Sequence, residues 1–212
     1  MEYPSQKLER ELWRAGYQNI VGIDEVGRGA WAGPIVACAT VISKFESFGF
    51  AQDKLRNSNL SIRDSKLLSE KQREKIFNQL SKKVIWSVGL VSHKEIDSLG
   101  ITRANLLVIK RALRGLTVKP DYLLVDRVNG FKHRLPFKSI VGGDRKVFSI
   151  ALASILAKVY RDRLMRGYHH KYPAYHFHQH KGYGTKLHLD CLKKNGICRI
   201  HRQSYQPVKN LL

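Results

Sequence analysis

Residues Ile20 to Ala37 constrain this chain more than any other stretch. An apolar run delivers two adjacent carboxylates, Asp24 and Glu25, then Val26 and the tripeptide Gly27-Arg28-Gly29, and a second apolar run resumes after Pro34. That is strand, acidic corner, tight loop, strand. A carboxylate pair beside a buried strand is costly to desolvate unless a cation or a donor answers it, and no counter-charge lies closer along the chain than Arg28. A divalent metal ion is one solution; an edge strand finishing in solvent, with both acids hydrated, is the other. Successive strand side chains face opposite ways, so a metal shared by the pair requires the strand to end or bulge there, with Gly27 supplying the backbone freedom.

The remaining segments supply partners for that strand. Residues 5–15 read as a short helix carrying Leu8, Leu12 and Trp13, and Pro34 to Ser43 as a second strand. Residues 44–62, with Phe45, Phe48 and Phe50, read as a long hairpin or exposed loop. Ser69 followed by Gln72 predicts a capping box and a helix with Ile76, Phe77 and Leu80 on its apolar stripe. Residues 84–91 predict a strand with Val84, Trp86, Val88 and Leu90 on one face, and Thr102 to Arg114 a helix stopped by Gly115. Tyr122 to Asp126 is a strand that ends on an acid, where open α/β sheets carry sites. A short strand over 139–141 leads to Gly142-Gly143-Asp144, a helix over 147–165 with small residues at Ala151, Ala153, Ser154 and Ala157, and a last helix from Lys186 to Asn195. Asp144 is either an N-terminal cap of the long helix or part of a site. The alternation implies an α/β sheet with helices packed on it, and 212 residues suffice for one domain.

Lys and Arg number 38 against 17 Asp and Glu, a net charge of +21, which points to a polyanionic partner. A membrane surface would demand a basic amphipathic helix with a strong apolar face, and a span would demand about 18 apolar residues in a row; the sequence has neither. The N-terminus lacks the basic and then apolar build of a secretory signal, and three cysteines without a C-x-x-C spacing point to neither a disulfide framework nor a zinc ribbon. A cytoplasmic location is the expectation. His169, His170, His176, His178 and His180 with Cys191 or Cys198 raise a transition-metal site, with His178 and His180 sharing a strand face, but no spacing matches structural zinc and a solvated rim facing nucleic acid fits better.

Asp24, Glu25, Asp126 and Asp144 all sit at strand ends or in loops beside apolar segments in a chain where acids are scarce. Carboxylates that bridge two divalent ions about 3.5 to 4 Å apart form a clamp for phosphodiester cleavage, and oxygen ligands suit Mg²⁺ or Mn²⁺ rather than zinc. Composition does not select these four from 17 acids. Ordered motifs do. Gly22-Ile23-Asp24-Glu25-Val26-Gly27-Arg28-Gly29 with Ala32-Gly33-Pro34, then Asp64-Ser65-Lys66, Leu123-Leu124-Val125-Asp126 and Gly143-Asp144 come first. Ala153 to Val159 with Arg161-Asp162-Arg163, His180-Lys181-Gly182-Tyr183-Gly184-Thr185 and Ile200-His201-Arg202 complete the series. Together they resemble the ribonuclease HII family from about residue 8 to 209.

The resemblance implies an α/β, ribonuclease H-like fold: a mixed central sheet flanked by helices, with a core over about 18–184 and a small C-terminal helical segment over about 185–212. It implies a single-domain monomer that cuts the RNA strand of RNA/DNA hybrids and cleaves 5′ of ribonucleotides embedded in duplex DNA, leaving 3′-hydroxyl and 5′-phosphate ends. Asp24, Glu25, Asp126 and Asp144 would hold two Mg²⁺ or Mn²⁺ ions, Gly27, Arg28 and Gly29 would read the ribose 2′-hydroxyl, Tyr183 would stand against the neighbouring sugar, and Lys66 would hold a phosphate. The chain departs from the family pattern at Leu67, Arg127, Arg145 to Phe148 and Leu152. Those departures leave open a non-catalytic basic nucleic-acid-binding protein of the same fold, and a metal nuclease or phosphatase without ribose selectivity is the third alternative.

Overall fold

The computed structural model describes residues 4–43 and 68–211. Lys66, Leu67 and the hairpin expected over 44–62 lie outside the described residues.

The first strand, β1 (Asn19–Val26), stands in the middle of a five-stranded mixed sheet. β2 (Ile35–Ser43) pairs antiparallel with β1, and β3 (Trp86–Val91) antiparallel with β2. On the other side β4 (Tyr122–Asp126) runs parallel to β1, and β5 (Phe137–Ile140) parallel to β4. The sheet order is therefore β3-β2-β1-β4-β5. A strand covered on both faces needs apolar residues at both parities, which is why β1 reads as a continuous apolar run rather than an alternation.

Helices α1 (Lys7–Arg14), α2 (Glu70–Leu80), α3 (His93–Leu99) and α4 (Ile101–Arg114) precede β4 in the chain. After β5 come the single turn α5 (Gly143–Lys146) and the long α6 (Phe148–Lys171). The tail carries a 3₁₀ turn (Pro173–Tyr175), α7 (Phe177–His180), α8 (Lys186–Asn195) and α9 (Gln206–Lys209). On one face of the sheet, Val36, Cys38 and Ile42 pack with Ala153, Leu156 and Ala157 of α6. On the other, Val21, Ile23, Ile35 and Ala37 pack with Ala104, Val108 and Ala112 of α4. A third cluster, with Ala32, Met165, Phe177, Leu192 and Ile200, joins the tail to the loop after β1.

α6 lies against β1 at Gly22, where a Cβ would collide with Ser149, and Thr40 Oγ1 donates to the Ser149 carbonyl at 2.8 Å. The first turn of α6 is answered by Glu9 of α1, whose Oε1 accepts from the Ser149 N–H at 2.9 Å; burial raises the Glu9 pKa. Glu9 thus caps the helix start from another element, 140 residues away in the chain.

Most expected elements are present, with ends shifted by a few residues, and the Ser69/Gln72 capping box forms. Three points go beyond the expectations or against them. β3 presents Trp86 and Val88 on the same face as Val84, packed on the core beneath α6 as expected, while Leu90 stays exposed; its other face turns Ser87, Gly89 and Val91 toward α4, which comes so close at Gly89 that only a glycine fits under Val108. α3 was not anticipated, although Ser92 and Glu95 form its capping box and mark its start. And β1 neither ends nor bulges at the acidic pair: its register with β2 is unbroken through Asp24↔Cys38, Glu25↔Ala37 and Val26↔Val36.

Candidate active site

The regular register sends Asp24 and Glu25 to opposite faces of the sheet at its carboxyl edge. Asp24 faces α6, where the Ser154 hydroxyl bonds its carboxylate, and its Oδ1 accepts from the Glu25 N–H at 2.7 Å. Only 7% exposed, it has a pKa raised well above the usual carboxylate range, first by burial and then by the negative charges of Glu25 and Asp126. Glu25 faces α4, where Asn105 Nδ2 donates to its Oε1 at 3.2 Å. Its pKa is raised by burial, an effect that Asn105 and Arg28 oppose and Asp126 reinforces.

Asp126 ends β4, one residue past the Ile23↔Val125 pair of the parallel ladder, so it meets the end of β1 from the neighbouring strand. Its Oδ1 accepts from the Gly143 N–H at 2.9 Å. That bond anchors α5, on which Asp144 is 4% exposed.

Three acids from two strands therefore feel one another's charge, and α5, which carries the buried Asp144, is tied to Asp126 through Gly143. The gathering stops short of a closed cage: among the described residues no three carboxylate, imidazole or thiol groups stand close enough to hold an ion between them. Arg28 reaches Glu25 only at 4.0 Å and is half exposed, so local compensation for the buried acids is weak. Buried oxygen donors that gain a proton more easily for want of positive charge have the chemistry of a hard-cation site, one that substrate oxygens and water would complete.

The loop after β1 is held from behind by two arginines that are both 0% exposed. Arg161 of α6 donates to the carbonyls of Pro34 (2.9 Å), Lys181 (2.9 Å) and Ala32 (3.2 Å). Arg202 donates to Gly33 at 3.0 Å and to Arg28 at 2.9 Å, and the Tyr205 hydroxyl also donates to the Arg28 carbonyl. Burial lowers the Arg202 pKa to about 10, which leaves it charged at neutral pH. Gly27, at φ 92°, passes so near Arg161 that a Cβ would overlap the guanidinium. The arginines hold the Arg28, Ala32, Gly33 and Pro34 carbonyls inward, and of the tripeptide Arg28 and Gly29 are exposed while Gly27 is buried. Tyr183 joins this rim through a bridge to Ala30, with the Arg161 and Lys158 cations 5.1 and 5.7 Å from its ring centre.

Several residues that build this arrangement had no role assigned from sequence: Ser154, Asn105, Arg161 and Arg202. Three of the four lie in quoted motifs, but their partners are 80 residues away for Asn105 and 174 for Arg202, beyond any periodicity. The histidines separate. His169 and His178 lie with ring centres 3.9 Å apart and planes tilted by 40°, whereas His180 turns inward to the Tyr175 carbonyl at 2.7 Å. The shared strand face expected for His178 and His180 does not exist, because residues 177–180 are helical.

This architecture has relatives. The sequence profile of ribonuclease HII matches residues 21–208. A ribonuclease HII of Dehalococcoides mccartyi is 42% identical over 210 residues, covering 98% of this chain and 95% of its own. The ribonuclease H2 of Pyrococcus horikoshii OT3 superposes with a TM-score of 0.72 at 28% identity, over 91% of this chain and 96% of that one. The Bst ribonuclease HIII solved with Mn²⁺ shares the fold alone, at 16% identity and a TM-score of 0.67 over 92% and 70% of the two chains. Since the agreement runs from the first strand to the last helix rather than resting on a motif, the chain belongs to the ribonuclease HII family, endonucleases that leave 5′-phosphate ends.

Proposed function

We propose that this enzyme hydrolyses the RNA strand of RNA/DNA hybrids and nicks duplex DNA 5′ of an embedded ribonucleotide, using Mg²⁺ or Mn²⁺ held by Asp24, Glu25, Asp126 and Asp144. The observation that carries this reading is that one strand end supplies both halves of the task. Asp24 and Glu25 lie in the last residues of β1 beside Asp126, and just past Val26 the Gly27-Arg28-Gly29 loop brings Arg28 and Gly29 to the surface.

Each side chain then has a definable part. A pair of bound divalent ions would supply the Lewis acidity that turns water into a nucleophile and neutralises the departing oxygen. Asp24, oriented by Ser154 and the Glu25 N–H, and Asp126, oriented by the Gly143 N–H, present oxygens from adjacent strands. Glu25, on the α4 face, and Asp144, on α5, would complete the set. Backbone groups of the glycine-rich rim lie close enough to the surface to bond a 2′-hydroxyl, the one group that separates RNA from DNA locally. The Tyr183 ring, backed by Arg161 and Lys158, would stack on the neighbouring sugar. Lys66 is assigned to a phosphate by its motif alone.

A nicking assay decides the matter. A duplex with one embedded ribonucleotide should be cut on its 5′ side only when Mg²⁺ or Mn²⁺ is present, while the all-DNA duplex stays intact. Equal cutting of both would establish a nuclease without ribose selectivity, and binding without any cutting would establish the non-catalytic alternative.

A further inference from the structure

Three histidines of the tail are buried together behind Tyr183, and their hydrogen bonds leave one consistent set of protons. His188 Nδ1 lies 3.0 Å from the Tyr183 carbonyl, which can only accept, so Nδ1 carries the hydrogen. In a neutral ring Nε2 of His188 is then an acceptor. It faces His201 Nε2 at 3.0 Å, so a neutral His201 donates from Nε2 and its Nδ1 accepts from the Cys198 N–H at 2.8 Å, the shorter of its two contacts, the Cys198 carbonyl lying at 3.2 Å. His180 completes the group: Nε2–H donates to the Tyr175 carbonyl at 2.7 Å, Nδ1 accepts from the Gly182 N–H at 3.1 Å, and the ring stacks on His188 at 4.3 Å. His188 cannot gain a proton on Nε2 without pointing two N–H groups at each other, whereas a charged His201 would have to turn its Nδ1–H from the Cys198 N–H to the Cys198 carbonyl at 3.2 Å. Burial agrees, since it pushes His188 down to about 3 and His201 down to about 4.

We propose that His188 and His201 are positioning residues for ribose selectivity: a tautomer-locked pair that carries the placement of the C-terminal segment at Cys198 to the backbone of Tyr183. The geometry favours this over packing alone for two reasons. First, the chain of donors runs in one direction, Cys198 to His201 to His188 to Tyr183, and ends on the residue assigned to the sugar. Second, the same segment contributes Arg202 to the Arg28 carbonyl, so both sides of the rim are referred to residues 198–202. The Thr185 N–H also donates to the Tyr183 carbonyl, at 2.8 Å, which closes the turn but does not fix it against the tail.

The inference rests on the proposed role of Tyr183, and the test separates the two. Full-length variants are assayed on the embedded-ribonucleotide duplex and on a continuous hybrid, with the ratio of kcat/KM on the two substrates as the readout. Tyr183→Ala must change that ratio; if it does not, the reading of Tyr183 fails and the relay fails with it. Given that result, His188→Phe should lower kcat/KM on the embedded ribonucleotide about tenfold more than on the hybrid. His188→Asn, which keeps a donor near the Nδ1 position, should stay within about threefold of wild type, and His201→Gln should exceed His201→Phe. Equal ratios for the Phe and Asn variants would overturn the proposal. So would ¹⁵N NMR of the wild-type enzyme at neutral pH that found His188 protonated on Nε2 or as imidazolium, an observation independent of how well any variant folds.

Discussion

Gly22 runs so close beneath Ser149 that a methyl group on the glycine would overlap the serine's backbone and its Cβ. This contact sets the distance between β1 and α6, and α6 carries Ser154 to Asp24 and Arg161 to the loop after β1.

Gly22→Ala should therefore act twice. Overpacking a dense interface costs about 1–3 kcal/mol, which urea unfolding would register. The outward shift of α6 would also move Ser154 off Asp24, so nicking should fall at temperatures where the variant remains folded. A variant with full activity and full stability would show that the helix has slack there.

Asp24→Asn should abolish nicking and yet raise stability in metal-free buffer. The Asp24 pKa is raised in the folded state, so above the unfolded value near 3.8 the unfolded chain releases a proton that the fold retains, and the native state is penalised as pH rises. Asparagine removes that penalty. Thermal melts at pH 8 should place the variant a few degrees above wild type, with the gap closing near pH 4. Mn²⁺ should raise the melting temperature of wild type only. A lower melting temperature for the variant at pH 8 would contradict the buried-acid description.

Arg161→Met should be among the most damaging changes outside the acids. Three buried carbonyls, of Pro34, Ala32 and Lys181, would lose their donor, and an unsatisfied buried acceptor costs about 1–3 kcal/mol. The expected loss is about 3 kcal/mol in denaturant unfolding, with KM for the embedded-ribonucleotide duplex rising as the Gly27 loop loosens. A rise in KM without loss of stability would assign Arg161 to substrate rather than to the loop.

Acid should weaken the tail through its neutral histidines. The folded pKa of His201, about 4, lies below the usual 6.5, so between those values the unfolded chain binds the proton and the native state does not. The stability contributed by this burial is complete above pH 6.5 and declines as pH falls toward 4, by about 3 kcal/mol at most at 1.4 kcal/mol per unit. Asp24 and Glu25 titrate with the opposite sign, so the comparison to make is wild type against His201→Phe at pH 7 and pH 4.5. The variant should lose less on acidification.

Binding should follow the net charge of +21. Several phosphate contacts imply that log K for duplex binding falls with log salt at a slope of about −4 or steeper. A flat dependence would leave the charge without a nucleic-acid role.

The sequence by itself determined most of the order of strands and helices, since apolar periodicity, capping boxes and stop residues are local signals: β4 and α8 fall where Tyr122 to Asp126 and Lys186 to Asn195 predict them. The ordered motifs also pointed to the acids. What only the tertiary structure decided are the relations between residues far apart in the chain. The regular β1 puts Asp24 and Glu25 on opposite faces of the sheet, so Asp126 can be shared only because a parallel neighbour ends beside them. Arg161, Arg202, Ser154 and Asn105 acquire their roles across tens to hundreds of residues, and the second covered face of β3 follows from the approach of α4 at Gly89. Close packing sets those distances, and it is a property of the assembled sheet and helices that no window of sequence carries.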